Sequence, residues 1–252
     1  MPSPVSRRTA LVTGLAGGAV ALTGSPSAAQ PAPAVRADLS FPTTRLAREA
    51  RNLAHRTQET YLLNHSLRSF LFAREAATQE GWKPGRDYDA ELTFLICVLH
   101  DMGLTASAAS DQRFEVAGAD LAAEFLEQRG VTDGRVDVVW DAIAQHTTPS
   151  FHSSPVFQRR RAPEIGIATG GIGIDVLGGP GALPPGYADR VHAAYPRLGG
   201  TRPLTEAIVT HAMGSPRKAP PMTFPGEVLH QRHPSLPYQT WEMSLDAAGW
   251  GD

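Results

Sequence analysis

The chain is nearly devoid of thiol chemistry, with one cysteine, Cys97, in 252 residues. That excludes a disulfide framework within the chain, and a lone thiol inside the apolar stretch around Leu95 reads as a small core residue. A charge bias is lacking as well. The 23 Lys and Arg against 25 Asp and Glu leave a net charge of -2. Nothing therefore draws the whole molecule toward nucleic acid or an anionic membrane, and neither is expected as a partner. Apolar runs long enough for a stable membrane anchor are missing. So are internal repeats and any convincing strand pattern. What is present, 42% hydrophobic and 19% charged residues, is ordinary for one globular domain, and its periodicity predicts an all-α fold.

The first residues read as an address. Ser6-Arg7-Arg8-Thr9-Ala10-Leu11 places an arginine pair before a weakly apolar stretch, Ala10 to Thr23, and Ser27-Ala28-Ala29 offers small residues for cleavage before Gln30. This is the layout of a bacterial twin-arginine signal. Residues 1–29 are thus expected to engage the twin-arginine translocation machinery, and the protein to be periplasmic or extracellular. That route carries folded proteins, often with cofactors in place. Residues 30–39, with Pro and Ala, read as a linker. Residues 40–214 carry the helical pattern, and residues 215–252 form a proline-rich tail without a clear period.

Within the helical part, leucine and alanine spacing predicts an amphipathic helix over about 43–58. A second helix over 59–79 is apolar on nearly every side between Leu62 and Phe72, with His65 in its middle. A third, about 87–102, starts with Asp87, Asp89 and Glu91, which suit a helix dipole, and stops at Gly103 as a left-handed cap. Further helices are expected over 112–129, 133–147, 164–177, 187–194 and 204–213. The glycines of 164–177 suggest close approach to neighbouring helices. Between 147 and 163 the texture is a polar loop with His152 and the basic run Arg159-Arg160-Arg161.

The stretch Leu95 to Gly103 ends an apolar run in an adjacent histidine and aspartate. Burying an ionised carboxylate beside an imidazole is costly unless another charge offsets it, and a metal ion would do so. His65 in the buried second helix, His100 and Asp101 at the end of the third, and Asp175 near the end of the glycine-containing helix are candidate partners. A single histidine such as His65 is more often a hydrogen-bonded core residue. A mixed imidazole and carboxylate set, by contrast, leaves coordination positions open for water and substrate.

In order, Asn64-His65-Ser66-Leu67-Arg68, Leu99-His100-Asp101-Met102-Gly103 and Ile174-Asp175-Val176 resemble the HD superfamily of metal-dependent hydrolases, a helical bundle. Three further stretches are similar to its cyanamide hydratase branch: Leu99 to Thr105, Arg113 to Ala119, and Ala142 to Thr147. The resemblance implies His65, His100, Asp101 and Asp175 as metal ligands. Arg113 to Gly118 lacks the further histidines that build a second site in many HD enzymes, which argues for one divalent ion. Zinc is the first expectation, with iron, manganese and nickel compatible with such ligands. His146 is the candidate general acid or base. Glu115 would orient water or a ligand from outside the coordination sphere, and Asp101 could take the nucleophile's proton as well as bind the ion. Asn64 and Thr105 are placed to line a pocket.

Three functions compete. The first is a hydratase or hydrolase acting on a small nitrile-like molecule. The second is a phosphohydrolase, which would need cations such as Arg68, Arg113 or Arg159 to Arg161 for phosphate charge. The third is a binding module with a vestigial site, against which the intact ligand set speaks.

Overall fold

The computed structural model describes residues 38–249. The expected signal, the linker as far as residue 37, and Trp250 lie outside them. Among the described residues there are eleven α-helices and no strand, and no helix is long and apolar enough to cross a membrane.

Two helices enter the bundle first: α1 (Arg45–Thr57) starts where the Thr44 hydroxyl accepts the Ala47 N–H, and α2 (Thr60–Gln79) follows it. Every residue of α2 from Leu62 to Ala73 is buried, as its all-round apolar pattern demands. Next, α3 (Ala90–Leu99) starts at the Asp89 carboxylate, which accepts the Glu91 and Leu92 N–H groups. It ends three residues sooner than its periodicity predicts. His100 keeps helical dihedrals, but Asp101 at φ -100 and ψ 15 leaves the helix. Its last turn is thus opened where the two polar side chains stand.

Gly103 is no left-handed cap, contrary to expectation; it lies in a 3-10 turn, Met102–Leu104. Its requirement is steric. A Cβ there would collide with the Phe114 carbonyl, and one at Gly118 would sit 2.9 Å from the His100 carbonyl. Two glycines therefore let α4 (Phe114–Glu127) cross directly over the turn that follows His100 and Asp101.

Beyond α5 (Arg135–Gln145), the expected polar loop contains a short helix, α6 (Pro155–Arg160), capped by the Ser154 hydroxyl. Then α7 (Pro163–Gly173) packs along α2 and α3. Of its glycines, Gly171 makes the close approach: a Cβ there would strike the Ser69 carbonyl and Ala73. Gly166, Gly170 and Gly173 face open space. The helix then widens into a π-helical turn, Ile174–Gly178, which carries Asp175.

Four helices complete the chain: α8 (Tyr187–Ala194), α9 (Arg202–Ala212), α10 (Phe224–Arg232) and α11 (Trp241–Ala247). The proline-rich stretch is thus partly helical. Its α10 packs against α9, where Arg232 pairs with Glu206. One large apolar core joins α1 to α5 with α7 and α8. A smaller one, Leu62, Phe114, Leu204 and Ile208, sits beneath α9.

Candidate metal centre

His65 comes from the buried middle of α2, and His100 and Asp101 from the opened end of α3. Their side chains are 5%, 1% and 2% exposed. The Nε2 atoms of His65 and His100 lie 3.2 Å apart. Asp101 Oδ2 is 3.1 Å from His100 Nε2 and 3.7 Å from His65 Nε2. These three atoms form one triangular face, and His65, His100 and Asp101 together can hold a metal ion.

The backs of the rings explain why the Nε2 atoms point inward. His65 Nδ1 is 2.7 Å from Asp175 Oδ2, and His100 Nδ1 is 2.8 Å from the Cys97 carbonyl. His146, at the end of α5, repeats the device with Nδ1 2.6 Å from the Ile143 carbonyl. Each Nδ1–H is donated backward, so each neutral ring presents an Nε2 lone pair to the centre. Two such acceptors 3.2 Å apart require a positive charge between them. A proton can fill that role: burial disfavours charging His100, but neighbouring Asp101 outweighs it and raises its pKa. A divalent ion fits better. Zinc bound at about 2.0–2.1 Å spaces its ligand atoms by roughly 3.3 Å, close to the three edges observed. Asp101 Oδ2, buried and without a hydrogen-bond partner, would have its lone pair taken up by the ion.

His146 stands beside this face, its Nε2 3.8 Å from Asp101 Oδ1 and its side chain 4% exposed. Burial and the neighbouring positive His100 push its pKa down to about 4, so the ring is a neutral acceptor near pH 7. The Asp101 carboxyl is opposed by burial, yet His100, His65 and His146 hold it below the usual range. Glu115, in the first turn of α4, is fully buried. One oxygen accepts the Thr147 hydroxyl at 2.7 Å and the other is unpartnered. Burial raises its pKa against the pull of Thr147.

Asp175 does not join the triangular face. Its Oδ1 accepts from Arg68 Nε at 2.8 Å and from an Arg197 NH group at 3.2 Å. Its Oδ2 accepts from Arg68 at 2.8 Å and from His65 Nδ1 at 2.7 Å. Burial opposes its ionisation, but Arg68 and His65 prevail and depress its pKa. Two arginines thus belong to the site. Arg68, one candidate cation of the phosphohydrolase reading, is 2% exposed and wholly engaged. Arg197 had no signal in the sequence. Asn64, expected at a pocket wall, instead donates to the Pro196 carbonyl. Thr105 lines a cavity of about 590 Å³ with Tyr61, Leu104 and residues of α9, and none of His65, His100, Asp101 and His146 lines it.

Residues 62–185 match the HD domain family. Two curated proteins of Saccharomyces cerevisiae, Cyanamide hydratase DDI2 and Cyanamide hydratase DDI3, are each 32% identical over 118 residues. Those residues are 46% of this chain and 52% of each relative. The chain thus spans about half the length of the curated relatives it matches.

Proposed function

Residues 62–185 are an HD domain, and from that premise we propose a metal-dependent hydratase or hydrolase that adds water to a small, uncharged, nitrile-like molecule such as cyanamide. His65, His100 and Asp101 would hold the ion, zinc by first expectation. When bound, such an ion lowers the pKa of water and polarises a substrate atom. The protein's own groups do the rest. The His146 Nε2 lone pair, beside Asp101 Oδ1, accepts the proton of the attacking water and returns it to the substrate nitrogen. Glu115 holds Thr147 and keeps a second oxygen free inside the site, placed to orient water.

The observation that carries this reading over a phosphohydrolase is the state of the nearby cations. Arg68 and Arg197 are spent on Asp175, and Arg113 donates to the Ala144 carbonyl. Arg159, Arg160 and Arg161 are exposed on and just after α6. Of these arginines only Arg159 and Arg160 stay unpaired among the described residues, on the exposed end of α6, whereas Arg68 and Arg197 at the centre are already bonded to Asp175. Instead the Phe114 ring borders the centre, 5.6 Å from His146, and leads into the apolar cluster with Leu62, Leu204 and Ile208. Small uncharged substrates suit such a wall.

The twin-arginine reading of residues 1–29 adds export to the proposal, with the translocation machinery a partner during transit. Fractionating cells that express the full chain, against an Arg7→Lys, Arg8→Lys variant, tests it. The activity is tested by assaying urea release from cyanamide beside phosphate release from nucleotides. Urea is the expected product, and phosphate without urea overturns the reading. Bound metal should fall to background in a His100→Ala, Asp101→Ala double variant.

A further inference from the structure

We propose that Asp175 is a positioning residue of the metal centre, not a ligand of the ion, and that Arg197 is the outer arm of the clamp that holds it. The inference rests on the reading that the centre takes a divalent ion.

A carboxylate offers about four lone-pair directions. Asp175 receives four donors: Arg68 Nε and an Arg197 NH group on Oδ1, and a second Arg68 nitrogen and His65 Nδ1 on Oδ2, at 2.7–3.2 Å. None remains for an ion. Freeing one would strip a charge-assisted bond from Arg68, a guanidinium 2% exposed whose remaining nitrogen is already on the Tyr195 and Pro196 carbonyls. Orphaning such a buried charge is far costlier than leaving the pair intact.

The backbone is arranged for the same end. Asp175 sits in the π-helical turn after α7, a widening that turns its side chain toward α2. The loop after α8 is then fastened over it. Asn64 and Arg68 hold the Pro196 carbonyl. Arg197 donates to both the Asp175 carbonyl and its carboxylate, and to the Thr201 hydroxyl, which in turn reaches the Val176 carbonyl. The product is one fixed imidazole. With Nδ1–H held by a carboxylate, His65 keeps the tautomer and ring orientation that offer Nε2 inward.

The test uses the full chain and zinc. Wild type, Asp175→Asn and Arg197→Gln are compared by chelator competition for zinc affinity and by nitrogen NMR of the imidazoles in metal-free protein. A crystal structure of the zinc-loaded wild type completes the set. Expected are one zinc per chain and zinc affinity about 10–100-fold weaker in Asp175→Asn, with a smaller loss in Arg197→Gln. The His65 ring should be Nδ1-protonated in wild type and lose that preference in Asp175→Asn. An Asp175 oxygen at bonding distance from zinc, about 2.0–2.2 Å, overturns the proposal. So does unchanged zinc affinity in Arg197→Gln, a partly exposed residue whose replacement leaves the core intact. If wild type held no zinc, the functional reading would fail, and the His65 tautomer in metal-free protein would still decide the positioning role.

Discussion

The two halves of α2 face cavities of about the same size, near 590 Å³. The cavity at the N-terminal half, by Tyr61 and Thr105, adjoins the turn that follows the metal centre. The one at the C-terminal half lies between α2, α6 and α7, over Ala73, Ala76, Ala77, Gly166 and Gly170. Volume therefore says nothing about which half does chemistry. Inward commitment of polar groups does. The His65 ring is committed on both sides, Nδ1 to Asp175 and Nε2 toward His100 and Asp101. The other groove has an alanine and glycine floor, and although Gln79, Glu80, His152, Gln158 and Arg161 line it as well, they belong to no group able to hold a metal ion among the described residues. The first arrangement calls for a positive charge at its centre; the second follows from small residues in two helices that touch at Gly171.

The largest effect that should sharpen this contrast is at His146. His146→Gln keeps the volume and removes the proton acceptor, so turnover of cyanamide should fall about 10²–10⁴-fold while bound zinc stays near one per chain. An equal loss of metal would show His146 to be a ligand instead.

Next in size is the pH dependence of stability in the metal-free protein. Unfolded, His146 titrates near 6.5; folded, near 4. As pH falls through that window the unfolded chain binds a proton that the folded one refuses. Stability from the neutral buried ring is complete above about 6.5 and is lost toward pH 4, on the order of 3 kcal/mol. Denaturant titrations at several pH values should show this slope, and His146→Gln should flatten it.

At the helix contact, Gly171→Ala should cost roughly 1–3 kcal/mol, because its Cβ meets α2 backbone. In the neighbouring groove Gly166→Ala meets nothing within 4 Å, so the propensity gain should stabilise by up to about 1 kcal/mol, with turnover unchanged. Thermal melts of the pair compare the two kinds of glycine directly. A loss of turnover in Gly166→Ala would mean that the groove is coupled to the centre after all.

Much of this was legible in the chain. The all-round apolar α2 had to be buried, and a histidine inside it had to find partners. The apolar run of α3 ending at His100 and Asp101 asked for a compensating cation. Sequence spacing could not show how Asp175 is used. Arg68 and Asp175 are 107 positions apart, and only their meeting turns an apparent phosphate-binding arginine into a structural one. The π-helical turn has no composition mark of its own. Prolines misled in the opposite sense. Those at 155 and 225 lie in the first turn of a helix behind a Ser154 or Thr223 cap, where a missing N–H costs nothing. Counted as breakers, they hid α6 and α10.

Cys97, whose carbonyl steadies His100, has practical use. The residue is completely buried and burial pushes its thiol far up, so thiol reagents find no partner among the described residues of the folded chain. A cysteine placed on the surface, at Trp82 for instance, would be a single addressable label obtained without removing the native one. Appearance of a second reactive thiol would then report the opening of α3 and, with it, of the metal centre.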